Sequence, residues 1–178
     1  REKDNKDGFA FSDAYFKLDA DITLPDGWKP IGATKEGRVN LQEGANLNAF
    51  SGIFDGAGHT ITVPEDGLPL FGYVRNTRIR NLNIYGKKIA GYGLVKNFEG
   101  VGLSGRAVEI DNVTLKSGSS TLKSGLLGAN KTVNGYAGCS AAFVATITNC
   151  TIEKGVVIGY DKNQRQIGAI AGRMQGTI

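Results

Sequence analysis

The sequence predicts an all-β chain wound as a β-solenoid, and three observations predict it. Glycine is abundant at 26 residues against 4 prolines, and Thr, Ile, Val and Asn are frequent, a balance that favours short strands joined by tight turns. A segment led by isoleucine recurs as RIRNLNI (78 to 84), EIDNVTL (109 to 115), TITNCTI (146 to 152) and the closing TI (177 to 178), which makes Ile79, Ile110, Ile147 and Ile178 equivalent. Ahead of each lies a glycine-apolar segment: LPLFGYV, YGLVKN, SGLLGAN and GAIAGRM. Such repetition marks units that bury their apolar face only by stacking on their neighbours.

The chain has 178 residues, 40% of them apolar, enough for one domain with a core and too few to expect two. Residues 1–12, opening on the charged REKDNKDG, read as a flexible tail. Residues 13–178 read as a single domain. The net charge of +4 is spread without a basic block, which argues against nucleic acid as a partner. No run of 18 apolar residues occurs, so no membrane-spanning helix is expected.

Taken in order, Phe16, Leu18, Ala20, Ile22 and Leu24 step by two toward one face of the first coil. The stretch FSGIFDGAGHTITV (50 to 63) closes that coil: Phe54, Ile61 and Val63 supply core, while Asp55, Gly56 and Gly58 make the turn. Leu82 and Ile84, Val113 and Leu115, and Cys150 and Ile152 then repeat the inward pair. Stepping from Ile22 through Ile61, Leu82 and Val113 to Cys150 gives offsets of 39, 21, 31 and 37 residues, the shortest being a bare coil and the others carrying insertions. LFGYVRNTRI lies over AIAGRMQGTI without a gap, which equates Phe71 with Ile170. Ile178 matches Ile79, but no partner for Leu82 or Ile84 follows it. The solenoid is therefore expected to be incomplete at its C-terminal end, a fragment of a longer protein.

Asn81, Asn112 and Asn149 fall where strict alternation breaks, so each is expected at a bend, with the amides stacked as a buried ladder. Asn112-Val-Thr and Asn149-Cys-Thr match the glycosylation acceptor pattern. In a buried ladder both matches would be coincidental. Cys150 takes the slot of Leu82 and Val113 and reads as a small core residue. Cys139 lies in a loop, and a bridge between the two would require it to fold inward.

Chemistry is sparse. His59 is the sole histidine, so a zinc peptidase of the HExxH kind is excluded for this segment. A Ser-His-Asp triad would have to use His59 with Asp55 or another acid, and a turn residue is the plainer reading. Asp19, Asp21 and Asp26 lack the glycine and closing glutamate of a calcium loop, so they read as a solvated strand face. Glu109 and Asp111 project outward beside Arg78 and Arg80 of the preceding coil, where a glycosidase would want paired acids and a sheet would equally place a charge ladder. No cofactor and no metal is implied. The insertions say more: Phe71 to Ile79 spans 8 residues, Leu94 to Ile110 spans 16 and Leu127 to Ile147 spans 20. Extra residues thus enter at one corner of two adjacent coils, as KNFEGVGLSGR (96 to 106) and ANKTVNGYAGCS (129 to 140). Side by side they would form a ledge carrying Lys96, Phe98, Arg106, Lys131, Asn134 and Tyr136, a candidate ligand-binding surface. A further insertion spans residues 33 to 48.

DAYFKLDADITLPDGWKPIG, FSGIFDGAGHTITV, LFGYV and IRNLNI together resemble the right-handed β-helix repeats of bacterial surface proteins with GLUG-type motifs, similar to the N-terminal β-helix region of the streptococcal IgA1 metallopeptidases. The resemblance covers residues 13–98 well and continues as looser repeats to Ile178. Where that family's FDGNGHTI has an asparagine, this chain has Ala57. The resemblance implies a right-handed parallel β-helix in a cell-surface or secreted bacterial protein. It also implies a non-catalytic module offering an adhesive or structural surface to a host protein or glycan, with the remainder of the parent polypeptide as a further partner. The alternatives are a fragment of a β-helix polysaccharide lyase or glycoside hydrolase, and the substrate-positioning region of a surface peptidase.

Overall fold

The structure is a computed structural model, and it describes residues 14–32, 49–99, 108–130, 145–160 and 168–173. Every regular element among the described residues is a strand, and every strand pairing is parallel. The first and largest sheet contains β1 (Tyr15–Lys17), β2 (Ile22–Thr23), β3 (Ile53–Asp55), β4 (Thr60–Thr62), β6 (Arg78–Tyr85), β8 (Val108–Leu115), β11 (Ala145–Thr148) and β12 (Thr151–Ile152). The second holds β5 (Phe71–Arg75), β7 (Val95–Glu99), β10 (Leu127–Asn130) and β14 (Ala171–Arg173), and the third pairs β9 (Ser120–Thr121) with β13 (Val157–Ile158). After β6 the chain bridges to the third sheet at Ile89, enters the second at β7 and returns to the first at β8. From β8 it repeats that circuit through β9 and β10 to β11, and then from β12 through β13 to β14.

Parallel pairing sets like residues over like. Phe54 stands beside Ile79 and Ile79 beside Ile110; Ile110 in turn meets Ile147. Ile61, Ile84, Leu115 and Ile152 form a second row. Phe71, Val95, Leu127 and Ala171 form a third on the second sheet. The first three members of each row except Phe54 are fully buried, and Phe54 is nearly so. Phe50, Phe54 and Phe71 fill the space between the first and second sheets, with ring centroids 5.2 and 5.4 Å apart. Burial of these side chains, about 1.5–3 kcal/mol each, is the main force holding the strands together.

Three expected alignments shift. Ile61 pairs with Ile84, not with Leu82. Between the pairs Asp55/Arg80 and Thr60/Asn83 the earlier strand has four residues, 56 to 59, where the later has only Asn81 and Leu82. Matching the core rows by eye missed that longer turn. Likewise Val95, not Leu94, stands beside Phe71 and Leu127, and Ala171, not Ile170, continues that row. Phe16 and Ile22 do register with Phe54 and Ile61, yet they are 37% and 39% exposed because β1 and β2 lie at the end of the described stack. Ala20 is exposed as well, whereas Leu24 is buried.

The asparagine bends are as expected in conformation and differ in burial. Asn81, Asn112 and Asn149 have φ of 52, 51 and 53°, the left-handed conformation that asparagine tolerates best among non-glycine residues. Asn112 donates to the Asn81 side-chain oxygen at 3.0 Å, and Asn81 donates to Asp55 at 3.1 Å. Asn149 leaves the ladder and donates to Asp111 at 2.8 Å. The row lies on the outside of the sheet, with Asn112 and Asn149 exposed, because a left-handed residue turns its side chain away from the core at the kink. Burial is thus no reason to dismiss the two acceptor patterns, although both amides are already engaged.

Ala57 shares this conformation, with φ of 51°, and its side chain is exposed. An alanine there bears strain of about 1 kcal/mol without the local hydrogen bond an asparagine offers. Ala57→Asn is expected to raise the unfolding free energy by about 0.5–1 kcal/mol, read as a higher urea midpoint at unchanged slope.

Candidate functional site

Side chains that alternate with the core rows point outward from the first sheet, and along the first half of its strands they are locked to one another. Arg78 pairs with Glu109 through Nε and Oε2. Arg80 donates to Asp55 at 2.9 Å, while Asp111 accepts from Thr148 at 2.7 Å and from Asn149 at 2.8 Å. These last two bonds hold the Asp111 carboxyl below its ordinary range, so it stays ionised and is poorly suited to donate a proton as a glycosidase acid must. Of the two readings for Glu109 and Asp111, the geometry is that of a charge ladder.

Asp55 is the hub. It is 6% exposed and accepts from Ala57 N at 2.9 Å, Asn81 Nδ2 at 3.1 Å, Tyr15 Oη at 3.0 Å and Arg80 Nε at 2.9 Å. Burial by itself pushes this carboxyl up, but the four donors outweigh burial and hold it at about 2. The expected turn of Asp55, Gly56 and Gly58 is therefore also the junction of three successive strands, β1, β3 and β6.

Along the second half of the same face the threonine and tyrosine hydroxyls are not locked. Thr23 pairs in register with Thr62, Thr62 with Tyr85, and Lys116 follows in line after β8. Together with Asp21 and Thr60 they border an open cleft of about 350 Å³. Asp21 Oδ1 accepts from Thr60 N at 2.9 Å and lies 3.1 Å from His59 Nδ1. Because a carboxylate only accepts, Nδ1 carries the proton in this bond. The Thr60 N–H and then His59 hold Asp21 below the ordinary carboxylate range. Lys116 is paired to Glu153, which also accepts from Ser117 N at 2.7 Å.

His59 is thus placed by Asp21 and not by Asp55, and among the described residues no serine or cysteine is bonded to its ring. Its side chain is 34% exposed in a surface hydrogen bond to Asp21, an arrangement worth little. His59→Gln is expected to change stability by less than about 0.5 kcal/mol, checked by the urea midpoint.

Of the six residues expected on the loop ledge, Lys96 and Phe98 are described. Phe98 is 1% exposed, beside Val74 on the second sheet. Strand alternation turns it into the core, so it cannot meet a ligand. Lys96 is half-buried on β7. Arg106, Lys131, Asn134 and Tyr136 lie outside the described residues, as do Cys139 and Ile178. Residues 100–107 lie between β7 and β8 in the chain and residues 131–144 between β10 and β11, where only Asn76 and Thr77 separate β5 from β6. Cys150 pairs in line with Val113, half-buried, its free thiol 3.7 Å from the Ile110 carbonyl and raised in pKa by burial. It is a core residue of low reactivity.

The cleft was absent from the sequence reading. Its signal was present in the repeated triplet Asp21-Ile22-Thr23 and Thr60-Ile61-Thr62, whose central isoleucines face in and whose flanking polar residues must then share the outer face. Comparison of the chain with protein-family models, with curated proteins and with solved structures finds no match.

Proposed function

We propose that this chain is a right-handed parallel β-helix module of a bacterial cell-surface or secreted protein, non-catalytic itself, that presents an adhesive or structural surface to a host protein or glycan. The observation that carries the reading is the contrast along one face of the first sheet. Along the first half of the first sheet the outward side chains are tied into ladders that stiffen it, and along the second half the hydroxyls of Thr23, Thr60, Thr62 and Tyr85 are left unbonded beside a cleft. A stack of parallel strands with like residues over like is rigid at low cost in sequence, which suits a module that holds a surface in place.

The test is retention of glycans and host extracellular glycoproteins by the immobilised chain, with polysaccharide panels assayed in parallel for released unsaturated or reducing ends. Saturable binding without sugar release is the expected result. Sugar release would instead establish the enzymatic alternative. Phe98→Ala is unsuited as a probe of binding, because it would open a core cavity.

A further inference from the structure

We infer that the cleft on the first sheet is a subsite for a neutral oligosaccharide. This rests on the binding-surface reading above and deepens it by assigning the site and the ligand class. Thr23, Thr60, Thr62 and Tyr85 line the cleft, and none of their hydroxyls is hydrogen-bonded within the described residues. Each both donates and accepts, as a sugar hydroxyl does. The parallel ladder spaces them about 4.8 Å apart between strands and about 6.6 Å along one strand, the span of a pyranose ring.

Asp21 adds a directed acceptor. Its Oδ1 is occupied by Thr60 N and His59, which leaves Oδ2 without a bond among the described residues and facing solvent. A fixed carboxylate oxygen takes hydroxyl donors strongly. Tyr85 supplies a half-buried aromatic surface in the same wall, against which the apolar face of a sugar ring packs. The cleft volume of about 350 Å³ is at the lower end for small-ligand sites and fits a ring or two of a longer chain.

Charge decides between neutral and acidic sugars. Lys116, the cation bordering the cleft, is already neutralised by Glu153, and Asp21 repels anions. An acidic sugar would need one of these arrangements undone; a neutral one needs neither.

The experiment is titration calorimetry on the whole chain with maltotetraose, cellotetraose and N-acetylchitotetraose, with a sulfated tetrasaccharide as the charged control. At least one neutral tetrasaccharide should bind, and more tightly than the sulfated one. Thr62→Val keeps the size and strand preference of threonine and removes only the hydroxyl, so its fold should survive, and its affinity should fall about tenfold, the size of one lost neutral hydrogen bond. Asp21→Asn, an exposed change, should weaken binding at least as much, with an unchanged thermal midpoint showing that the fold is intact. Failure of every neutral tetrasaccharide to bind would overturn the assignment. So would unchanged affinity in both variants, or capture of peptides along the β2 edge in place of sugars. Binding of other glycans or proteins that survives both substitutions would remove the cleft and leave the adhesive module standing; loss of all binding in the wider screen would remove both.

Discussion

Replacement of Gly56 by valine is expected to lower the unfolding free energy by about 3–5 kcal/mol, a large share of what a domain of this size holds. A Cβ at Gly56 would meet the Asn81 carbonyl oxygen at 2.5 Å and Leu82 at 2.7 Å, both at its Cα and at Cδ1. Two of these three atoms are backbone, so no rotamer change relieves the overlap. The Gly56 N–H also bonds the Arg80 carbonyl at 2.8 Å, and pushing the strands apart breaks that bond. The position is closed by the approach of β6, and not by a left-handed φ, which Gly56 does not have. Gly58 makes the useful contrast: its φ is +84°, and a Cβ there meets nothing within 4 Å. Gly58→Ala should therefore cost only about 1 kcal/mol of backbone strain. Urea unfolding of the two variants beside the parent reads the difference, and equal losses would show that β3 and β6 do not meet as described.

Asp55→Ala is expected to cost about 3 kcal/mol, because it strands an arginine and leaves three further donors without their acceptor. The same carboxylate sets a pH dependence. Its folded pKa of about 2 lies below the ordinary 3.8, so the unfolded chain binds the proton more readily. The stabilisation is complete above pH 4 and is lost as pH falls from about 4 toward 2. Solvent around Arg80 screens part of it, which puts the loss at about 1–2 kcal/mol. Asp55→Asn cannot lose a charge it does not have, so the gap in urea midpoint between parent and variant should narrow between pH 6 and pH 2.5. A constant gap would mean that Asp55 is not held by these donors.

Much of the scaffold was legible because parallel stacking repeats itself in sequence. The isoleucines at 79, 110 and 147 lie in register, Cys150 stands in line with Val113, and the asparagine bends have the conformation their positions suggested. What escaped depended on turn length and on which side of the sheet a residue faces. The four-residue turn after Asp55 moves the partner of Ile61 from Leu82 to Ile84, and no period search detects a slip of two that keeps every residue on its own face. The same slip explains Gly56: Leu82 needs a place beneath it, and a glycine provides one. Phe98 was assigned to the ledge because its loop was long, although it sits in the glycine-apolar strand before that loop. Aromatic character in a strand speaks for the core as readily as for a binding face. The cleft escaped because threonines on a strand look like ordinary strand residues, and their lack of partners is visible only once neighbouring strands are in place.

Interstrand nuclear Overhauser effects in the intact, isotopically labelled chain test the central claim most directly, since the cleft exists only if β2, β4, β6 and β8 stack in this register. Methyl contacts between Ile61 and Ile84, between Ile84 and Leu115 and between Ile79 and Ile110 are predicted, together with the backbone pattern of parallel pairing along Arg78–Tyr85 and Val108–Leu115. Contacts of Ile61 with Leu82 in place of Ile84, or an antiparallel pattern between those two strands, would contradict it.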